Sequence, residues 1–311
     1  MLAKIKKYIL RKYFKKYQIE KKIMIGNSHF LNMRSKYTDL KKLNSVDYKI
    51  FSQNGEDGII NYLTSQLKIN KPKFIEIGVG DYSESNTKFI FETESPHGMI
   101  IDCIKNFREK VKENTLIWKG QLEIIEQKVS SKNILHLINS KNFFENLDIF
   151  SLDIDGVDYW ILKELPKNFS KIAIIEYNPT FGVEKNITVP NIDNFNRTDY
   201  HYSNLCFGMS LKAAIKVMEE KNFYFVGVNL MRNNAFFISN IFPKDHYFKN
   251  LQVDNLEKIN NANFQESRDQ NGNLNYLGGK KKIQEISECE VVKLDNNDYK
   301  KIKIKDLFNI A

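Results

Sequence analysis

The segment Phe74-Ile-Glu-Ile-Gly-Val-Gly-Asp-Tyr82 is the most informative part of this 311-residue chain. Its first residues have the apolar, β-branched composition of a short buried strand. The strand ends at two glycines one residue apart, where a backbone can turn sharply and approach a ligand closely. A helix after such a turn offers free N–H groups. The segment therefore predicts a strand, a turn and a helix, with a binding site at the turn.

Short apolar runs alternate with helical patterns in the surrounding sequence. The strand-like runs lie at 73–77, 98–102, 122–129, 147–153 and 171–176, and the helical patterns at 56–67, 106–113, 132–140 and 158–165. After a Pro- and Asn-rich loop at about 179–204 come a helix at 210–221 and paired strands at 223–228 and 235–238. This alternation predicts an α/β fold with a doubly wound, mostly parallel sheet covered on both faces. The last sixty residues are polar, and Gly278-Gly-Lys-Lys-Lys282 predicts a loop.

The formal net charge of +9 is concentrated at one end of the chain. Residues 1–22 carry nine basic side chains and one acid, Glu20, so they contribute +8 and the remaining residues only +1. Six of the 47 basic residues are Arg, the side chain preferred for bidentate contacts with phosphate and guanine. A nucleic-acid-binding body is therefore disfavoured. The aromatic content of 13% also argues against a disordered chain.

The basic N-terminal segment, residues 2–23, has the pattern of an amphipathic helix. One side of it collects the apolar residues Leu2, Ile5, Ile9, Leu10, Tyr13 and Tyr17. Most lysines fall on the opposite side, although Lys6, Lys12 and Lys16 interrupt the apolar face. Three interpretations stay open. The helix contacts an anionic membrane surface as a peripheral anchor, packs on its own domain or a partner subunit, or remains solvated.

The cysteines and the lack of long apolar runs bear on location. Cys103, Cys206 and Cys289 lie far apart without a C-x-x-C spacing, which favours reduced thiols over a disulfide or zinc framework. The sequence contains no run of about 18 apolar residues, so no membrane-spanning helix is predicted. The basic N-terminus lacks the apolar region and cleavage site of a signal peptide. We therefore expect a cytoplasmic protein, peripheral at the inner membrane surface if residues 2–23 bind lipid.

Two acids accompany the glycine turn. Glu76 stands two residues before Gly78, where it can meet the cationic amino group of an amino-acid-bearing cofactor and would repel a pyrophosphate. Asp102 ends the second strand and suits hydrogen bonds to ribose hydroxyls. The nicotinamide fingerprint G-x-G-x-x-G would need glycine at Ser83. An ordinary turn without a ligand is the alternative, and the two acids favour a cofactor.

Four motifs in this order resemble a known family. E-I-G-V-G at 76–80, I-I-D at 100–102, L-D-I-D-G at 152–156 and I-I-E-Y-N at 174–178 are similar to those of class I S-adenosylmethionine-dependent methyltransferases, and the nearest kind is the FkbM-like group. S-Q-N-G-E-D at 52–57 and S-N-T at 85–87 add to the likeness. The resemblance covers about residues 50–240. Members often O-methylate sugars or secondary metabolites.

The resemblance implies a Rossmann-like sheet of seven strands whose C-terminal hairpin is reversed. It also implies three parts of the chain, which are a basic helix and connector at 1–45, a methyltransferase domain at 46–245 and an appendage at 246–311. Glu76, Gly78 and Gly80 would line the methionine part of S-adenosylmethionine, Asp102 would bind the ribose, and Gln53 and Ser85 would reach the cofactor carboxylate. With Asp153, these residues form the expected cofactor-binding set.

The acceptor chemistry is expected where the fourth and fifth strands end. Methyl transfer uses an already activated methyl group, so the protein positions the acceptor and manages one proton. Asp155 and His201 are the candidates for activating an acceptor hydroxyl. Asp155, Glu176 and Asn178 also form an oxygen set suited to Mg²⁺ or Ca²⁺, since Glu176 and Asn178 point to one side of a strand. Helix capping by the aspartates and an ordinary surface histidine are the alternatives.

The resemblance thus implies a methyltransferase that acts on a hydroxyl of a sugar or another small molecule, with S-adenosylmethionine as cofactor. Two alternatives stay open. One is a nicotinamide-dependent oxidoreductase on a similar fold, and the other is a non-catalytic partner module that binds the cofactor. Neither the acceptor nor the oligomeric state follows from the sequence.

Overall fold

The structure is a computed structural model that describes residues 2–17, 23, 40–140, 143, 145–252, 266–295 and 298–310. Within these ranges, ten strands form two sheets. The strands are β1 (Phe74–Ile77), β2 (His97–Asp102), β3 (Gln121–Glu126), β4 (Ile149–Leu152), β5 (Ile172–Glu176), β6 (Ile187–Thr188), β7 (Phe223–Val228), β8 (Asn234–Ser239), β9 (Glu290–Asp295) and β10 (Asp298–Lys303).

Helices connect these strands and flank them. They are α1 (Leu2–Tyr17), α2 (Glu56–Gln66), α3 (Lys88–Glu94), α4 (Phe107–Asn114), α5 (Ile134–Asn139), α6 (Asp158–Glu164), α7 (Arg197–Tyr200), α8 (Leu211–Glu220), α9 (Lys244–Tyr247), α10 (Lys280–Glu285) and α11 (Ile304–Phe308). Short 3₁₀ turns lie at Leu43–Val46, Ile117–Lys119 and Pro179–Phe181. No helix of the described ranges has the length and apolar character needed to span a membrane.

The larger sheet has seven strands in the order β3-β2-β1-β4-β5-β8-β7. Strands β1 to β5 run parallel, whereas β8 pairs antiparallel with both β5 and β7. The predicted doubly wound, mostly parallel sheet with a reversed C-terminal hairpin is therefore confirmed. The chain order reverses between β1 and β4, and this switch point opens a crevice at the carboxyl ends of the strands.

Two buried clusters cover the two faces of this sheet, because successive side chains of a strand point to opposite faces. Ile75 of β1 and Phe150 of β4 belong to the cluster shared with α5, α6 and α8. Phe74 and Ile100 belong to the other cluster, together with α2, α3 and α4. Since both faces are covered, all four residues of β1 and of β4 are buried. A rigid double-sided core thus holds the carboxyl ends of the central strands in place.

The smaller sheet, in the order β10-β9-β6, joins the end of the chain to the α/β domain. β9 pairs with β6, which follows β5 in the chain, and Ile286, Val291 and Ile304 are buried in the same cluster as Ile75. At the other boundary, Leu40 and Leu43 are already buried in the second cluster. The described parts of the predicted connector and appendage therefore share the core of the central domain.

Some element predictions differ from the structure. The loop expected at 278–282 contains the start of α10, because the chain turns at Gly279 (φ +52°) and the buried Ile286 anchors the helix on the core. The helix expected after the glycine turn is α3, which begins only at Lys88. The predicted helix at 2–23 is described from Leu2 to Tyr17, and residues 18–22 lie outside the described part of the chain.

Candidate functional site

A cavity of about 900 Å³ lies at the carboxyl ends of β1, β2 and β4, at the switch point of the large sheet. Its lining comes from the glycine turn at 78–80, from Asp102 and Cys103, and from the loops at 127–133, 153–157 and 191–198. Glu76 before the turn, Asp81 and residues 83–86 after it, Gln53 and Asn234 also line it. The cavity thus collects segments that are far apart in sequence, as expected where parallel strands end together.

The two glycines of the turn face different surroundings. Gly78 has φ +82°, and a Cβ placed there would lie 1.6 Å from the carbonyl oxygen of Asp153. The close approach of the loop after β4 therefore requires this glycine. Gly80 has φ +57°, and a Cβ there would meet no atom within 4 Å. The second glycine accordingly borders open space in the cavity.

Asp102 holds the glycine turn from the neighbouring strand. Its Oδ2 accepts hydrogen bonds from the N–H groups of Val79 (2.9 Å) and Gly80 (2.8 Å), and its Oδ1 accepts one from Ile104 (3.0 Å). Because two charge-assisted hydrogen bonds reach one oxygen, the turn and the end of β2 are locked together. Asp102 also lines the cavity, while its contact with a ribose stays a prediction.

Glu76 is buried and accepts four hydrogen bonds from the segment after the glycine turn. They come from the Ser85 hydroxyl (2.6 Å), the Asn86 N–H (2.8 Å), and the N–H (2.9 Å) and hydroxyl (2.5 Å) of Thr87. Burial raises the pKa of Glu76, and these donors oppose the rise. Two residues predicted to touch a cofactor, Glu76 and Ser85, therefore bond to each other and shape the loop before α3.

Gln53 lines the cavity, and hydrogen bonds hold the residues on either side of it in place. Asp57 Oδ2 accepts hydrogen bonds from the N–H groups of Ile50 (2.7 Å), Phe51 (2.6 Å) and Ser52 (2.8 Å). Glu56 accepts amide hydrogen bonds from Asn229 (2.7 Å) and Asn234 (2.8 Å). The S-Q-N-G-E-D motif thus ties the segment before α2 to the reversed hairpin. Asn234 was not predicted as a site residue, since its only sequence signal is a place in a turn.

Three acids lie close together where β4 and β5 end. Asp153, Asp155 and Glu176 each offer a carboxylate oxygen, and these three atoms lie within 4.8 Å of one another. Burial raises the pKa of Asp153 and of Glu176 well above the usual range, and neighbouring carboxylates add to the rise. Glu176 Oε2 is buried without a hydrogen-bond partner among the described residues. This acidic cluster can hold protons or a cation.

Arg197 closes the acidic cluster on one side and was not predicted from the sequence. Its Nη1 lies 2.5 Å from Asp155 Oδ1, and its Nη2 lies 3.2 Å from both carboxylate oxygens of Glu266. Asn196 caps the helix that carries Arg197 by accepting hydrogen bonds from the Thr198 and Asp199 N–H groups. Arg197 therefore connects the end of β4 with the C-terminal part of the chain.

Two predicted site residues make other contacts. The Asn178 amide is buried, donates to the carbonyl oxygens of Leu205 (2.8 Å) and Phe207 (2.9 Å), and accepts from the Thr180 N–H. These bonds tie Asn178 to the loop after β5. His201 is not among the residues that line the cavity. Its Nδ1 lies 2.7 Å from the hydroxyl of Ser203, and burial lowers its pKa.

The cavity lining is predominantly acidic. Three basic side chains line it, those of Lys128, Lys132 and Arg197. Seven acidic side chains line it, those of Glu76, Asp81, Glu84, Asp102, Asp153, Asp155 and Asp193. Lys132 and Arg197 are themselves paired with acids of this lining, Asp193 and Asp155. Burial raises the pKa of Glu76, Asp153 and Asp155, so the negative charge of the lining lies mainly on the other four acids. Acidic side chains thus outnumber basic ones only slightly, and this excess favours a ligand with positive charge over an anionic one.

Comparison with known proteins gives partial likenesses. No family model matches the chain, and no curated protein matches it. Among solved structures, one described as a "putative sarcosine dimethylglycine methyltransferase from Galdieria sulphuraria" is 11% identical with a TM-score of 0.32, and the match covers 53% of this chain and 61% of that one. The pyocyanin biosynthetic protein PhzM is 10% identical with a TM-score of 0.32, over 58% of this chain and 56% of PhzM. The chain therefore spans less than two thirds of either protein.

Proposed function

We propose that this protein is an S-adenosylmethionine-dependent methyltransferase whose cofactor occupies the cavity beside the glycine turn. The acidic lining is the observation that carries the proposal. S-adenosylmethionine bears a sulfonium, an ammonium and one carboxylate, so it has one positive charge in excess, whereas the pyrophosphate of a nicotinamide cofactor is anionic. Four lining acids remain against three bases when Glu76, Asp153 and Asp155, whose pKa burial raises, are left out, and this excess of acid would attract the former and repel the latter.

The residues of the turn have distinct roles in this proposal. Gly80 leaves room for the cofactor, since no atom lies within 4 Å of the position of its absent Cβ. Asp102 keeps its Oδ2 on the turn and presents its Oδ1 side to the ribose hydroxyls. Gln53 faces the same cavity from the segment before α2 and binds the cofactor carboxylate. Glu76 and Ser85 act mainly by shaping the loop before α3.

The acceptor is proposed to be a hydroxyl of a sugar or a related small molecule, bound between the loops at 153–157 and 191–198. The second of these loops carries amide and carboxylate side chains that suit hydroxyl groups, Asn191, Asp193, Asn194 and Asn196. When bound, S-adenosylmethionine supplies a methyl group that is already activated for transfer. Asp155 lies in the cavity wall and takes the proton released by the hydroxyl. His201 does not line the cavity.

The acidic cluster fits a divalent cation by its donor atoms. Three carboxylates within 4.8 Å and an unpartnered, buried Glu176 oxygen are the kind of site that Mg²⁺ occupies. Asp153, Asp155 and Glu176 would hold the ion, which would supply positive charge near the acceptor oxygen. Titration of EDTA-treated protein with Mg²⁺ should give binding heat that Glu176→Gln abolishes. If no heat appears with the wild type, Asp155 and Arg197 act without a metal.

Isothermal titration with S-adenosylhomocysteine and with NAD tests the cofactor. We expect S-adenosylhomocysteine to bind and NAD not to bind. Asp102→Ala should weaken binding, because it removes the two hydrogen bonds that order the turn and a third to the Ile104 N–H. His201→Ala is the matched control and should leave binding intact, since this residue does not line the cavity. Tighter binding of NAD would sink the proposal in favour of an oxidoreductase.

The three cysteines allow an independent measurement of the same site. Cys103 is exposed beside Asp102 in the cavity, whereas Cys206 and Cys289 are buried. Iodoacetamide should therefore modify Cys103 first, and S-adenosylhomocysteine should slow this modification while NAD does not. Peptide mass spectrometry gives the rate at each cysteine. Incubation with a panel of glycans then shows turnover as a mass gain of one methyl group, and binding without any gain indicates a non-catalytic module.

A further inference from the structure

Helix α1 presents apolar side chains to solvent. Ile5, Ile9 and Leu10 are 50%, 59% and 46% exposed, and Tyr8 is 66% exposed. Ile5 and Ile9 are one turn apart, so their side chains lie together on one face of the helix. No other described part of the chain covers this face, so these apolar side chains are in contact with water.

Helix α1 is also strongly basic. It contains seven basic residues, Lys4, Lys6, Lys7, Arg11, Lys12, Lys15 and Lys16, and no acid. By helical spacing, Lys6, Lys12 and Lys16 flank or interrupt the apolar face, and the other four lie on the opposite side. Lys4 and Lys7 lie on the side opposite Ile9, and both are exposed. The remainder of the protein is close to neutral, because residues 23–311 sum to only +1. An exposed apolar face and a basic face thus occur on the same short helix.

We propose that α1 lies in the interface of an anionic lipid bilayer and holds the protein at a membrane surface. Ile5, Ile9 and Leu10 enter the boundary between headgroups and acyl chains. The lysines on the sides of the helix extend their charged ends to the lipid phosphates, as long basic side chains do at interfaces. Anionic lipid complements the positive charge of the helix.

The positive charge of α1 also argues against a second copy of the chain or nucleic acid as its partner. In a second copy of the chain, packing two α1 helices together would bring seven positive charges near seven others without an acid to pair with them. Nucleic acid would match the charge but would leave the apolar face in water, and α1 contains one Arg among its seven basic residues. Anionic lipid is the partner that satisfies both faces at once.

Co-sedimentation of the full chain with vesicles tests the proposal. We expect binding to phosphatidylcholine vesicles that contain phosphatidylglycerol, weak binding to vesicles of phosphatidylcholine alone, and a loss of binding at high salt because salt screens the attraction. Lys4→Gln with Lys7→Gln should lower the partition coefficient about 30-fold, at about 1 kcal/mol per basic residue. Ile5→Gln with Ile9→Gln should lower it more than about 100-fold through lost apolar burial.

Matched controls separate the helix from the body of the protein. Lys110→Gln with Lys112→Gln removes two exposed charges from α4, and Ile241→Gln removes an exposed apolar side chain (57%) from the body. Both should bind vesicles as the wild type does. Unchanged titration with S-adenosylhomocysteine, or unchanged circular dichroism if that ligand does not bind, shows that each variant is folded.

Three outcomes would overturn the proposal. One is wild-type protein that stays in the supernatant with anionic vesicles. The second is equal vesicle binding by the wild type and the Ile5→Gln, Ile9→Gln variant. The third is a change from dimer to monomer in that variant, seen by sedimentation velocity without any difference in lipid binding, which would assign the apolar face to a second copy of the chain.

Discussion

The two glycines of the E-I-G-V-G turn answer different physical demands, although a sequence motif treats them alike. Gly78 is required by the Asp153 carbonyl of the neighbouring loop, which occupies the space of a Cβ. Gly80 adopts a left-handed conformation but faces open cavity. The first glycine therefore belongs to the packing of β1 against β4, and the second belongs to the binding site.

Substitution by alanine should separate these two roles. Gly78→Ala should lower the free energy of unfolding by about 3 kcal/mol or more, because the Cβ clashes with backbone that cannot move freely. Gly80→Ala should cost only about 1–2 kcal/mol for its positive φ. Urea unfolding followed by circular dichroism measures both. Equal losses for the two variants would contradict the assignment.

Asp57 gives the folded protein a specific pH dependence. Burial raises its pKa from 3.8 to about 7, although three N–H groups donate to Oδ2. The folded state thus binds the proton more tightly than the unfolded state, so this carboxyl stabilises the fold at low pH. That contribution is lost as the pH rises between about 4 and 7.

We therefore expect the free energy of unfolding to fall between pH 5 and pH 7.5, and to fall less in Asp57→Asn. The asparagine keeps a neutral side chain at the same position and does not titrate. A tenfold difference in proton affinity between the folded and unfolded states corresponds to about 1.4 kcal/mol. Urea unfolding of both proteins at the two pH values checks this. A variant with the same pH dependence as the wild type would rule out Asp57 as the source.

Among the secondary-structure elements, the strands of the large sheet could be predicted from the sequence, whereas those of the C-terminal segment could not. Strands β1 to β5, β7 and β8 were all predicted, because their apolar runs are long enough to be buried on both faces. Half of the β9 side chains and most of the β10 side chains are polar, and β10 is largely exposed, so their periodicity is weak. They form because β9 pairs with β6 and because a few apolar residues, such as Val291, reach the central core.

This shared core predicts that the C-terminal segment unfolds with the domain. Ile286, at the end of α10, is completely buried in the cluster that covers one face of the large sheet. Ile286→Ala should lower the free energy of unfolding by about 2–5 kcal/mol in a single transition. Leu274→Ala, at a position that is 45% exposed, should change it by less than about 0.5 kcal/mol. Two separate transitions in the Ile286 variant would indicate an independent appendage.

At the scale of the whole molecule, Arg197 connects the acidic cluster to the C-terminal part of the chain. This side chain bridges Asp155, which follows β4, and Glu266 of the C-terminal part. It supplies the positive charge beside three carboxylates that lie within 4.8 Å. Burial raises the pKa of Asp155, and Arg197 opposes this rise. Long-range assembly thus brings together charges that the sequence places in three separate loops.

Removal of the Arg197 guanidinium should destabilise the fold, because it leaves the Asp155 carboxylate unpaired. We expect Arg197→Met to lower the free energy of unfolding by about 1–3 kcal/mol. Asp155→Asn in the same background should recover part of that loss, since it removes the unpaired charge. Urea unfolding of the single and double variants measures the coupling. Additive effects of the two substitutions would show that the pair does not interact.

The sequence also located the charge of the molecule. Eight of the nine units of net positive charge lie in residues 1–22, and the cavity in the body is acidic. A nucleic-acid partner was therefore disfavoured from composition alone. The acidic character of the cavity was not predictable in the same way, because its lining comes from segments as distant as Gln53, Asp102 and Arg197.

The order of the strands along the chain, the doubly wound sheet, the glycine turn and the basic helix could all be derived from the amino-acid sequence. These features follow from local periodicity and from residue types that restrict the backbone. The folded arrangement was needed to show that Glu76 bonds Ser85, that Asn178 serves the loop after β5, and that Arg197 stands beside Asp155. Such pairings depend on which loops meet at the carboxyl ends of the strands, and no periodicity along the chain encodes them.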